Sequence, residues 1–255
     1  MVKKIRPGGI GSEVQFGSVT ITLRSYLSTH HICAAALFAQ EARTIEARGQ
    51  EGKPEGDRFT WFLRHRAFVI GSVLSSVAFL EGAVNEFFSD VAEEHGENVK
   101  DMARETKAAI RGSWEQKKIR RAGLLKKYQI ALDRAGVEPL QADATPHHDA
   151  TLLVRLRNEL VHYAPESVPA GRPSDSSTTR AHKLELALAG KFALNPLMAN
   201  GNPFWPDKCL GFGCAKWAME SALALADEFF KRIDWTPNYE HLRHYISELE
   251  QPSGA

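Results

Sequence analysis

Apolar positions recur at helical spacing through most of this chain, and the pattern changes character only at its beginning. Between Glu13 and Leu23 the run V-Q-F-G-S-V-T-I-T-L is β-branched and roughly alternating, which predicts a strand or small hairpin. From there the periodicity is helical. Ser28 or Thr29 is placed to cap a helix running to about Arg48, and Gly49 to Pro54 breaks it. A long helix is expected from Arg58 to Glu94, then a weaker, charged one from Glu97 to Ile110. A further helix from Trp114 to Ala135 would stop at Gly136, and another from Asp149 to Tyr163 would stop before Pro165. The stretch Glu166 to Arg180, rich in Ser, Thr, Pro and Gly, reads as a mobile loop. A short helix at His182 to Ala189 and an irregular connection from Asn195 to Pro206 follow. Helices from Leu210 to Ile233 and Tyr239 to Leu249 close the sequence. The fold class expected is mainly α, an antiparallel helical bundle with a small N-terminal β strand or hairpin. The segments divide as an extension over 1–27, a helical domain over 28–235 with loops at 166–180 and 195–206, and a C-terminal helix and tail over 236–255.

Bulk properties narrow this picture only a little. A chain of 255 residues with 43% hydrophobic and 25% charged residues is ordinary for a soluble globular protein and can bury a sizeable core. A net charge of +1 provides no global attraction to nucleic acid, so RNA binding must rest on local patches. The 3 cysteines are too few for a disulfide framework and fit a reducing, cytoplasmic setting. Cys209 and Cys214 read as packing residues. The longest uncharged run, Ala67 to Leu80, is short for a bilayer and reads as a core helix, so no membrane association is expected.

Chemistry concentrates in Arg157-Asn158-Glu159-Leu160-Val161-His162-Tyr163. A guanidinium can hold a phosphate, and an imidazole exchanges protons near neutral pH. On a regular helix Leu152, Leu153, Leu156, Leu160 and Tyr163 share the apolar face, Asn158 and His162 share a polar face, and Arg157 stands roughly 140° from His162. One straight helix therefore does not aim both side chains at one point. Elsewhere, Glu81 and Asn85 lie on the seam of the long helix that also carries Leu74, Val77, Ala78, Val84 and Phe88. A carboxylate and an amide in such a stripe need polar partners when buried, and Arg157 and Asn158 are the natural ones. The helix from Trp114 carries Lys117, Lys118, Arg120, Arg121, Lys126 and Lys127, either a phosphate track or a solvated face balancing the acidic stretch Glu93 to Glu105. Trp205 and Phe204 can stack bases or anchor a loop. Neither the paired histidines nor His241 with His244 have neighbours that complete a metal site.

An arginine followed by a polar residue, with a histidine five positions after the arginine near a helix end, resembles the signature of the HEPN superfamily, the higher eukaryotes and prokaryotes nucleotide-binding domains. Bare arginine-to-histidine spacing recurs by accident here, as in Arg58 with His65 and Arg155 with His162. Only Arg157 adds the polar neighbour, Asn158, and the following Tyr163. The resemblance covers about Arg58 to Ile233, and the polar pair Glu81 and Asn85 on the earlier helix agrees with it. It implies a metal-independent endoribonuclease without cofactor that leaves 2′,3′-cyclic phosphate ends. His162 would be the acid-base group, Arg157 the phosphate ligand and Asn158 the orienting residue. It also implies a homodimer in which two motifs meet, and a place as a toxin or phage-defence effector with a cognate antitoxin or regulator. The competing expectation is a non-catalytic helical module that binds nucleotide, RNA or a protein, with Arg157 paired to Glu81 inside the bundle and His162 capping its helix.

Overall fold

In the computed structural model, residues 24–53, 56–165 and 182–250 are described, without the side chains of residues 117, 118 and 250. Over these residues the chain is a mainly α bundle, and no strand occurs among them. The β segment expected at 13–23 and the loop at 166–180 lie outside the described residues. Two long antiparallel helices form the frame, α1 (Leu27–Gln50) and α2 (Arg58–Ala92). Helix α9 (Phe212–Arg232) packs on both. Around the second half of α2 lie α4 (Arg104–Glu115), α6 (Leu124–Arg134) and α7 (His147–Val161). Short helices α3 (Glu97–Lys100), α5 (Lys117–Arg120) and α8 (Lys183–Leu188) join them, and α10 (Arg243–Glu250) returns to α1.

Helix α2 starts where its capping residue says it should. The Asp57 carboxylate accepts hydrogen bonds from Phe59 N and Thr60 N, each at 3.0 Å, which satisfies amides that have no partner within the helix. Two other helix starts are capped by residues far away in sequence. Neither Ser28 nor Thr29 is the cap of α1, as had been expected. Ser28 lies in its first turn, and its N and Oγ both donate to the Glu86 carboxylate on α2, at 2.9 and 2.5 Å. Similarly, Phe212 N at the start of α9 donates to Glu46 Oε1 at 2.6 Å, and the same carboxylate meets the buried His65 imidazole at 2.9 Å. A carboxylate at a helix N-terminus answers both the free amides and the positive end of the dipole.

One core runs through the whole bundle. Phe79, Phe87 and Phe88 from α2, Tyr128 from α6, Leu153 and Leu156 from α7 and Phe229 from α9 are among its largest fully buried side chains. Tyr239 and Ile246, from the C-terminal segment, belong to the same core. The helix expected from Trp114 to Ala135 is instead divided. Gln116 and Gly123 adopt extended backbone at the starts of α5 and α6, and Trp114 at the end of α4 stacks flat on Phe88, 5.4 Å away. The break lets the chain turn so that both α4 and α6 face α2.

Helix α2 is also long and apolar enough to cross a membrane, but half of its most apolar window is buried in this bundle, so the core accounts for much of that composition.

Candidate functional site

Helix α7 carries the arginine motif and is held by three apolar side chains. Leu152, Leu153 and Leu156 are buried, and Leu160 packs partly against the core. Tyr163 departs from the expected apolar face and is 50% exposed. The reason is backbone geometry. The helix ends at Val161, and His162, at φ −107° and ψ 31°, is its C-cap, so the helical projection does not extend to Tyr163. Pro165 stands just beyond, and proline disfavours helical backbone in the residue before it. The last hydrogen bond runs from His162 N to Asn158 O at 2.9 Å.

The side chains of the motif separate into two environments. Asn158 and His162 are exposed, as are Val161 and Ala164. Arg157 is half-buried at the margin of the core, and its Nε is a buried donor without a hydrogen-bond partner. A buried guanidinium N–H left unsatisfied costs free energy, of the order of 1–3 kcal/mol. Glu159 is drawn away from the motif by an ion pair with Lys183 of α8, and Lys191 pairs with Asp149 at the other end of α7 at 2.6 Å.

Glu81 and Asn85 do not face Arg157 and Asn158. Their partner is Lys127 of α6, whose side chain is only 3% exposed. Its Nζ donates to Glu81 Oε1 and, at 2.9 Å, to Asn85 Oδ1. The correction has a simple physical origin. A lysine one turn into α6 reaches the α2 seam from directly above, and a buried ammonium takes the nearest carboxylate and amide oxygen. Lys127 is for the same reason removed from the candidate phosphate track. Arg120, Arg121 and Lys126 remain exposed on the α5–α6 turn, with the Arg120 guanidinium 4.8 Å above the Trp114 ring. Lys117 and Lys118 are part of α5, their side chains outside the described set.

The connection between α8 and α9 is fixed by contacts that sequence alone did not reveal. Trp205 is buried and its ring stacks on His182 at 5.5 Å, so it anchors the loop. Arg66 of α2 donates to Pro206 O and Asp207 Oδ1, at 3.0 and 3.1 Å. Asn195 is buried and donates to Leu210 O at 3.0 Å. Through this loop, and through Lys183 on Glu159, the end of α7 is tied to the first half of α2. A hydrogen bond with the Cys209 thiol, reinforced by burial, raises the pKa of the buried Cys214 thiol well above the ordinary value, in keeping with a packing role.

Two concavities lie away from the motif. One is a tight crevice beside Ser28, Glu86, Asp90 and Tyr239. Another, with a volume of about 200 Å³, lies between Leu140, Pro146, His147 and Arg232. Neither includes Arg157 or His162. Among the described residues, no group of three or more His, Cys, Asp or Glu side chains is arranged to hold a metal ion.

Compared with known protein families, curated proteins and solved structures, the chain matches none. A functional reading therefore rests on the residues of α7 and their surroundings.

Proposed function

We propose that this protein is a metal-independent endoribonuclease of HEPN type acting as a homodimer, with Arg157, Asn158 and His162 of each subunit contributing to the site. One observation carries the reading. The arrangement that would make Arg157 purely structural is a pairing with Glu81, and Glu81 is taken by Lys127. Arg157 is left with an orphaned Nε–H and no carboxylate partner among the described residues, beside an exposed amide and an exposed imidazole. A cation with unused donors near the surface is suited to an anionic ligand, and a phosphodiester supplies oxygen acceptors at the right spacing for a guanidinium.

In the proposed reaction the RNA 2′-hydroxyl loses its proton to a base, and its oxygen forms a bond to the adjacent phosphorus. The bond from phosphorus to the 5′-oxygen breaks, and that oxygen takes up a proton. The products are a 2′,3′-cyclic phosphate and a 5′-hydroxyl. His162 is assigned the proton transfers, an effect typically worth roughly 10²–10⁴ in rate. Arg157 is assigned the charge on the phosphate in the transition state, and Asn158 orients the nucleotide. Tyr163 lies beside His162 as a supporting ring. Arg120, Arg121 and Lys126 would attract the flanking backbone. A role as toxin or defence effector, with a regulator encoded elsewhere, belongs to the same proposal.

The exposure of Asn158 and His162 favours a second reading, a non-catalytic module that binds RNA or protein through α7. The two separate in one experiment. Purified protein is incubated with total RNA in EDTA beside His162→Ala and Arg157→Ala. Cleavage by the wild type, with cyclic phosphate ends, and a loss of at least about 100-fold in either variant support the nuclease. Equal cleavage by all three places the activity in a contaminant, and RNA retention without cleavage supports the binding module.

A further inference from the structure

The solvent face of α7 carries a second arginine that the motif does not include. On a regular helix Arg155 lies about 20° from His162 and about 60° from Asn158, while Arg157 points about 160° away from it. Arg155, Asn158 and His162 are all exposed. Arg155 makes no hydrogen bond or ion pair among the described residues. This is not for want of a neighbour. Glu159 stands four positions on, where an acid and an arginine of one helix ordinarily meet, yet its carboxylate is taken by Lys183 of α8. Asp149, the other acid of α7, is held at 2.6 Å by Lys191, just after α8. Two lysines from one short segment therefore occupy both carboxylates of α7 and leave its outer face without a free acid.

We propose that Arg155 is a positioning residue for a single RNA strand, holding the phosphate next to the one that is cut. This rests on the ribonuclease reading above, and adds to it a residue and the form of the substrate. Arg155 and His162 are seven positions apart, roughly 10 Å along the axis. Both side chains lean toward the helix N-terminus, so the lean does not close that gap. The Arg155 guanidinium therefore meets a neighbouring phosphate and not the one beside the imidazole. An exposed arginine free of acids is matched by an anion, and its fork takes two oxygens of one phosphate. The strand so held is unpaired. The 2′-oxygen must come into line with the departing 5′-oxygen, an alignment that the regular A-form backbone of paired RNA does not adopt, and a face one helix wide follows one strand. The Lys183–Glu159 pair gains a role from this: it keeps Glu159 from filling the phosphate site.

The test measures binding and is independent of cleavage. Fluorescence anisotropy is run on the full chain over a series of salt concentrations, with circular dichroism showing the helical fold of each variant. The probe is a labelled single-stranded RNA of mixed sequence whose 2′-hydroxyls are methylated, so that it cannot be cut. The wild type is expected to bind it. Arg155→Gln is expected to weaken binding roughly 10-fold at low salt. It should also flatten the slope of log affinity against log salt by about 0.7, the share of one phosphate contact on a single strand. Arg155→Lys keeps the charge and should keep the slope. Lys100→Gln, which removes an exposed cation already paired with Glu97 on α3, should change neither. Lys183→Gln releases Glu159 and should weaken binding about 2-fold, and Glu159→Gln added to it should restore the affinity. A wild type that does not bind this RNA overturns the proposal, and so does an Arg155→Gln protein with an unchanged slope. Preference for a duplex of the same sequence overturns the single strand, and an unaltered Lys183→Gln overturns the role of that pair. Binding that responds as expected, in a protein that cuts no unmethylated RNA, removes the nuclease and leaves the phosphate contact intact.

Discussion

The arginine that draws attention in the sequence and the lysine that does not exchange roles once the chain is folded. Lys127 sits among other cations and reads as part of a basic face, yet its ammonium is buried against Glu81 and Asn85. Arg157, which had seemed the partner for those groups, is left with an unsatisfied donor. The pairing was illegible because a polar pair on one helix seam states that a partner is needed, and does not say which of several cations will arrive. The energetics of the triad should be asymmetric. Glu81→Gln strands a buried ammonium and is expected to cost about 2–4 kcal/mol, below the full penalty for a buried pair because Glu81 is 41% exposed. Lys127→Met fills the same volume with an unbranched apolar chain and lets Glu81 rehydrate, so about 0–1.5 kcal/mol is expected. Chemical denaturation of both variants checks the order, and a larger loss for Lys127→Met would contradict it.

Helices were legible where a local signal set them, and not where a distant residue did. Asp57 announces α2, and Gly136 the end of α6. By contrast, α1 and α9 begin at carboxylates supplied by Glu86 and Glu46, which no local pattern announces. The break between α4 and α6 was hidden for a related reason, since the helical period continues through Gln116 and Gly123 while packing on α2 interrupts it. Two expectations follow from these tertiary constraints. Gly213 lies inside α9, where alanine ordinarily stabilises a helix by roughly 1 kcal/mol. A Cβ there would stand 2.3 Å from the backbone oxygen of Ala193. Gly213→Ala should therefore lower the melting temperature rather than raise it.

The second concerns the approach to α1, where Arg24 binds Asp90 at 2.9 Å and Glu93 at 2.6 Å, and Tyr26 donates to Asp90. Burial, reinforced by Asp90, pushes the Tyr26 hydroxyl up to about 12. Burial also raises the Asp90 pKa, with Arg24 opposing it, while the Arg24 hydrogen bond lowers that of Glu93. A lowered carboxyl stabilises the fold above its ordinary range and loses that contribution as pH falls. A raised one acts in the opposite sense, favouring the fold at low pH and losing that as pH rises. Arg24→Met removes the support for Glu93 and the opposition at Asp90, so its destabilisation should be large at pH 7 and smaller at pH 4. Thermal unfolding at the two pH values decides this, and equal losses would mean that the ion pairs carry none of it.

For the whole molecule, helical periodicity made the α bundle readable, because most of its apolar face goes into one core. What periodicity does not contain is which apolar face stays outside. The α2 seam looked uniformly buried in the sequence, and in the structure Leu74 at its start is 37% exposed. The motif divides as its helical projection indicated, with Arg157 at the edge of the core and His162 exposed at the helix end. That division points past the single chain, to a site that one copy supplies only in part. That is the central claim, and subunit mixing tests it most directly. Arg157→Ala and His162→Ala proteins, each inactive alone, are dissociated together, reassociated and assayed on RNA in EDTA. In a mixed dimer one site recovers an intact Arg157 from one subunit and an intact His162 from the other, so activity should return to about a quarter of the wild-type level. No recovery, in a sample shown to contain mixed dimers, would contradict the claim that each chain holds half of the site.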